Sequence, residues 1–201
     1  MPVSKEGETK AETEFGPVSY LARWAAAVEG GTSGAPVHLW NPALCSSIDI
    51  RIDRAGAWYH EGRRIEREAM TRLFARILRR EADGSYVLVT PYEKLTIEVE
   101  DVPFLAVDLG YEEGPPRRLL ILTNLGEAVP VDADHPLRIQ VGARDDAFIP
   151  YVMVRPRLEA RLTRAAAASL VGILEERDDR LGVESAGQFF VIAESHPAGR
   201  S

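Results

Sequence analysis

Along most of this 201-residue chain polar and apolar residues alternate with period two, and in a few stretches the period lengthens to that of a helix. In "SIDIRID" (47–53), Ile48, Ile50 and Ile52 stand against Asp49, Arg51 and Asp53, which predicts a strand with one buried face. "RAG" turns the chain and "AWYH" returns it as a hairpin partner. "RRIEREAMTRLFARILRR" (63–80) places Met70, Leu73, Phe74 and Ile77 at i, i+3, i+4 and i+7, an amphipathic helix, with Glu68 and Arg72 as a favourable i, i+4 pair. "DGSYVLVTP" turns into an apolar strand, and "EKLTIEVE" alternates again with Leu95, Ile97 and Val99 inward. A corner at Asp101, Val102 and Pro103 leads to "FLAVDLG", apolar on both faces and therefore expected at the centre of a sheet. "RRLLILTN", "EAVPVDA", "LRIQVG" and "FIPYVMV" read as further strands. "RPRLEARLTRAAAASLVGILEER" (155–177), with Leu158, Leu162, Ala165, Ala166 and Ile173, reads as one long helix, and "GQFFVIA" as a last strand.

Ahead of this body lie a polar, acidic lead-in (1–17), a short helix in "YLARWAAAVE" after a Ser19 N-cap, and a "GGTSGAP" linker. The charged, Gly- and Pro-containing "GYEEGPP" (110–116) marks the clearest internal boundary. The organisation expected is an extension over 1–35 and two subdomains, 36–110 and 111–195. Each half runs strands, helix, strand, which predicts an α+β fold of two small related subdomains, each a mostly antiparallel sheet packed on one helix. Laying Trp58 over Tyr151 matches Arg64 with Arg157, Glu66 with Glu159 and Ala75 with Ala168, three identities in 21 positions. The duplication therefore rests on element order and pattern.

Charge and composition narrow the function. A net charge of −7 argues against nonspecific nucleic-acid binding, which depends on many phosphate contacts, yet leaves room for a small anion in a local basic pocket. One cysteine, Cys45, permits no internal disulfide and fits a cytoplasmic setting. No secretory leader and no bilayer-length apolar run stand in the sequence.

In "HLWNP", "DIRIDRAGAWYHEG", "LFARILRREADGSYVLVTPYEKL", "EDVPFLAVD", "TNLGE", "DADHPLRI" and "PYVMVRPRLEARL" the chain resembles a bacterial family catalogued as a domain of unknown function. These stretches cover most of residues 36–192 in order. The resemblance implies a duplicated α+β core whose C-terminal half is superficially pleckstrin-homology-like. It also implies a ligand site in the cleft between the halves, for a nucleotide-like molecule, and a signalling role.

The candidate chemistry is compact. "VDADHPLRI" (131–139) puts Asp132, Asp134 and His135 together. In an extended chain Asp132 and Asp134 share a face and His135 opposes them, so a strand corner capped by aspartate is the plainer reading than a metal site, and His135 or Asp132 lining a cleft is the functional one. Arg155, Arg157, Arg161 and Arg164 crowd the start of the expected long helix. There they either pair with the acidic segments 98–101 and 112–113 or bind an anion at the helix N-terminus. Arg72, Arg76, Arg79 and Arg80 form a second stripe, read as a solvated helix face. Lys94 in "PYEKL" reads as a surface pair with Glu93 and gains interest from the family resemblance; Asn124 reads as a turn residue or a cleft-lining amide. No hydrolase elbow, phosphate loop, dinucleotide fingerprint or zinc-protease motif is present.

The leading expectation is a non-enzymatic module holding a small anionic ligand. Lys94, Arg155 and Arg157 would supply charge, and Asn124, Asp132 and His135 orientation, with no cofactor or metal. The alternatives are a hydrolase using Asp132 and His135 as acid and base, and a protein–protein adaptor.

Overall fold

A computed structural model of the chain describes residues 35–112, 114–141 and 148–194. The lead-in, the expected helix over 20–29 and most of the linker lie outside them. A short 3-10 turn (Val37–Leu39) precedes β1 (Leu44–Ile52), β2 (Trp58–His60), β3 (Arg63–Arg64), α1 (Glu68–Arg76), β4 (Leu78–Arg80), β5 (Tyr86–Val89) and β6 (Glu93–Val99). Then follow β7 (Phe104–Glu112), β8 (Arg118–Thr123), β9 (Ala128–Pro130), β10 (Leu137–Val141), β11 (Phe148–Arg155), β12 (Leu158–Leu162), α2 (Arg164–Gly172), β13 (Glu175–Arg177), β14 (Arg180–Ser185) and β15 (Gln188–Glu194).

Two six-stranded sheets carry the molecule, in the orders β3-β2-β1-β6-β5-β4 and β10-β11-β12-β7-β8-β9. Numbered within each half, both read 3-2-1-6-5-4. In both, the first and last strands form the central pair and are parallel, while every other pairing is antiparallel. The duplication is thus a matter of topology, and it equates β1–β6 with β7–β12. Laying Trp58 over Tyr151 set a second strand on a fifth, so those three identities carry no information about the repeat. β13–β15 make a third, antiparallel sheet.

The fold is mostly sheet, with only two helices among the described residues, and both are shorter than the sequence pattern suggests. In 63–80 the helical period holds only from Met70 to Ile77. The arginine pairs at either end carry no period of their own, and they form β3 and β4 instead. In 155–177, Leu158 and Leu162 fit a helix by their i, i+4 spacing. With Ala160 they equally fit a strand of period two, and all three are buried on β12. Pro156 and Arg157, the latter at φ 65°, make the turn between β11 and β12. Thr163 then caps α2 by accepting the Ala166 N–H at 3.3 Å, and only Ala166 and Leu170 of α2 are buried.

The first sheet ends at Val99 and the second begins at Phe104, so the 110–116 loop lies within the second sheet, between β7 and β8. β7 is central, as its apolar character suggests, although Val107 on it is exposed. One apolar core runs through both halves, from Ile50, Trp58, Phe74 and Leu88 to Phe104, Ile121, Val152, Leu158 and Leu170. Ser185 ties the third sheet to the second: its hydroxyl donates to Val131 O at 2.5 Å and accepts the Leu119 N–H at 2.9 Å.

Candidate functional site

A groove of about 750 Å³ opens where the two halves meet. The segment 35–38 forms one wall, and Arg79 holds it there, donating from Nη1 to Val37 O and Trp40 O, both at 2.6 Å. β4 and the turn after it supply another wall, the β11–β12 turn a third, and Glu127 with His135 the rest. Its charged lining counts four arginines (79, 80, 155, 157) against two glutamates (81, 127). Within a chain of net charge −7 this is a local reversal of sign.

The pairing inside the groove decides which charges are spent. Arg79 donates to Glu81 at 2.7 Å and Arg155 to Glu127 at 3.0 Å. Among the described residues Arg80 reaches only the Gly84 carbonyl, at 3.3 Å, and stacks over Tyr86. Arg157 is exposed and has no partner among the described residues. Two positive charges of the groove therefore have no carboxylate partner among the described residues.

Arg155 belongs to both halves. It donates to the Ala75 carbonyl at 3.1 Å, the end of α1, and its guanidinium lies 5.4 Å from the Phe104 ring centre. Its buried Nε has no partner among the described residues. No helix begins at Arg155 or Arg157, so the anion site expected at a long helix's N-terminus does not exist in that form. The two arginines come together at the β11–β12 turn instead. Arg161 lies on β12, reaching Asp101 at 3.0 Å and Arg54 O at 2.7 Å, and Arg164 opens α2.

Asp132 and His135 form the corner anticipated from the sequence. Asp132 Oδ1 accepts from the amides of Asp134 (3.0 Å) and His135 (2.9 Å) and lies 2.8 Å from His135 Nδ1. Burial raises the Asp132 carboxyl, and the ring and amide hydrogen bonds more than reverse this, so its pKa lies below the ordinary carboxylate value. Asp132 thereby orients His135, which lines the groove. No Ser, Thr or Cys is among the groove's lining residues, and among the described residues no group of three or more His, Cys, Asp and Glu could hold a metal.

The two remaining expected residues fall elsewhere. Lys94 lies on β6 and touches Glu81 at 3.5 Å, so it reaches the groove only through that carboxylate. Asn124 is pinned at the β8–β9 turn: its Oδ1 accepts the Leu105 N–H at 3.0 Å and its own N–H donates to Leu105 O at 2.8 Å. It lines a separate crevice of about 430 Å³ with Trp58, Arg64 and Thr71. The structure thus groups His135, Arg155 and Arg157, with Asp132 behind them, and leaves out Lys94 and Asn124. Sequence reasoning missed Arg79 and Arg80, because both were placed on a solvated helix face.

Residues 35–102 match the family model "Domain of unknown function (DUF1285), N-terminal domain", and residues 103–192 match "Protein of unknown function (DUF1285), C-terminal domain". The chain belongs to the DUF1285 family. The join between the two matches falls in the corner between β6 and β7. A crystal structure of a DUF1285 family protein from Silicibacter pomeroyi DSS-3 is similar at 38% identity and TM-score 0.76, over 87% of this chain and 94% of that one. A DUF1285 family protein from Shewanella baltica OS155 is similar at 28% identity and TM-score 0.50, over 61% of this chain and 90% of that one. No curated protein matches the chain. Among the described residues no helix is long and apolar enough to cross a membrane.

Proposed function

We propose that this DUF1285 chain is a cytoplasmic, non-enzymatic binding module that holds a small phosphate-bearing ligand of nucleotide size between its halves, in a signalling role. One observation carries the reading: the interlobe groove has a surplus of arginine, and Arg80 and Arg157 there lack carboxylate partners among the described residues. A guanidinium binds phosphate through a planar fork of donors, and Arg157 presents one from the turn between β11 and β12. Arg155 acts as the strut that keeps the halves in register. Because ligand contacts come from β4 in one half and the β11–β12 turn in the other, occupancy stabilises the joint between them.

Thermal melts with inorganic phosphate, AMP and adenosine test this. AMP at about 100 times its Kd adds about 2.7 kcal/mol of stability, which for a chain of this size raises Tm by roughly 5–10 °C. Adenosine gives no rise, and Arg80→Ala with Arg157→Ala removes the AMP effect. A flat melt with AMP, or a rise that survives the double variant, refutes the proposal.

The 2.8 Å Asp132–His135 pair favours one alternative, a hydrolase in which His135 acts as base. It requires turnover that His135→Ala abolishes without unfolding. An adaptor role for the C-terminal half, which the family resemblance makes pleckstrin-homology-like, requires a protein partner whose binding the groove variants do not change.

A further inference from the structure

Sheet edges are ordinarily guarded, because a row of unpaired N–H and C=O groups is a template for another chain. The terminal strands of this fold follow that rule. β3 is two arginines, β4 ends in Arg79 and Arg80 next to the segment that Arg79 holds, β9 closes on Pro130, and β13 is three charged residues. The longer edges, β10 and β15, lie against each other.

β1 breaks the rule, although it is a central strand. β6 pairs with it from Leu44 to Ile52, whereas β2 on its other flank reaches only Ile50, Arg51 and Ile52. Opposite β6, the backbone of Leu44–Ser47 therefore has no partner among the described residues, and all four residues are exposed. The run ends at the bulge that follows Ser47. In the second half the matching flank is closed. β8 pairs with β7 from Ala106 to Glu112, and Asn124 bonds both the N–H and the carbonyl of Leu105. β7 lacks a β12 partner beyond Ala106, but a bulge, Asp108 and Glu112 guard it there. The open run of β1 has no such protection. From Leu39 to Ile48 no residue is charged, in a chain that is 27% charged, and Leu39 and Leu44 are 72% and 60% exposed.

We infer that the Leu44–Ser47 flank of β1 is a docking surface for a second copy of this chain, which lays its own Leu44–Ser47 antiparallel against it across a two-fold axis. Two identical strands paired in this way are self-complementary, since each flank-facing N–H meets a carbonyl of the same run in the other copy. Chains of net charge −7 repel one another, and an uncharged strand lets two of them approach without adding like-charge pairs. Because the run is only four residues long, the contact is small, and its dissociation constant is expected in the micromolar range. The surface shares no residue with the lining of the arginine groove, so it stands or falls independently of any ligand there.

The test is sedimentation equilibrium of the full chain, together with hydrogen exchange at low and high protein concentration. The unmodified protein is expected to dimerise. The flank-facing amides of Leu44–Ser47 should exchange freely in the monomer and slowly in the dimer. Ser46→Lys sets two like charges close together near the axis and should weaken the dimer at least about tenfold. Ser46→Thr, which suits a strand, should leave the dimer as it is or tighten it. Leu122→Lys, at an exposed position on β8, should leave it unchanged. A chain still monomeric well above micromolar concentration, or a dimer indifferent to Ser46→Lys or broken by Leu122→Lys, overturns the assignment. So does slow exchange at Leu44–Ser47 in the monomer, because the flank is then covered from within the same chain. The exchange comparison uses the unmodified protein and decides the matter even if a variant folds poorly.

Discussion

Arg155→Ala removes a side chain that bonds the end of α1 to the second half. Three interactions go with it. The charge-assisted bond to Ala75 O contributes about 2 kcal/mol, and that carbonyl keeps a bond from the Ile77 N–H, so it is not orphaned. The Glu127 pair contributes about 0.5 kcal/mol, since Glu127 is 40% exposed and regains water. Packing of the cation near the Phe104 ring contributes about 1 kcal/mol. Against these stands the unpartnered buried Nε, whose removal relieves about 2 kcal/mol. The net expectation is a loss of about 1.5 kcal/mol, because the relieved Nε cancels more than half of what is lost. At 2–4 °C per kcal/mol for a chain of this length, Tm falls by roughly 3–6 °C. Urea unfolding followed by fluorescence and by circular dichroism measures it, with coincident curves checking two-state behaviour. A change within about 0.5 kcal/mol would mean that the halves are held by their shared apolar core alone. A loss above about 4 kcal/mol would mean that Arg155 is a buried ion-pair member, contrary to its 24% side-chain exposure.

Three further outcomes follow from the same geometry. Arg157→Gly should stabilise the protein by about 0.5 kcal/mol, since glycine adopts φ 65° without strain; a helix at this position would instead lose about 1 kcal/mol, and a thermal melt separates the two. Ser185→Ala should cost about 2–3 kcal/mol in urea unfolding, because the Leu119 N–H and Val131 O lose their shared partner in a fully buried place, and a loss below about 1 kcal/mol would show that other groups satisfy them. For Asp132 the folded-state pKa is depressed, so its contribution is present above the unfolded value near ~3.9 and is lost as pH falls through the folded one. Asp132→Asn should therefore lessen the fall in stability as pH drops below the unfolded carboxylate value, and an unchanged acid limb would contradict the hydrogen-bonding account.

Strands with one buried face were plain in the sequence. Ile48, Ile50 and Ile52 alternate on β1, and Leu95 and Ile97 are buried on β6. The misreadings cluster where two periods coincide. Leu158 and Leu162 satisfy a helix and a strand alike, and the deciding clues were Pro156 at one end and the Thr163 cap at the other. Reading 155–177 as a helix set Arg155 and Arg157 at a helix start, whereas they meet at the turn between β11 and β12. The Trp58 crevice left no trace in the pattern, because an indole on an inward strand position looks like core. That the indole N–H has no partner among the described residues is a property of neighbours far along the chain, and no local spacing encodes it.

The parallel centre of each sheet bears on how the chain is made. Ser46 on β1 faces Leu95 on β6, and Phe104 on β7 faces Ala160 on β12. Strands so far apart along the backbone can join only after nearly the whole half has left the ribosome, several seconds of elongation at about 5–20 residues per second. Until then β1 and β7 each expose an open flank, the kind of non-local pairing that slows folding and leaves unpaired strand edges open to other chains, and the amino-terminal sheet can close before its twin has been synthesised.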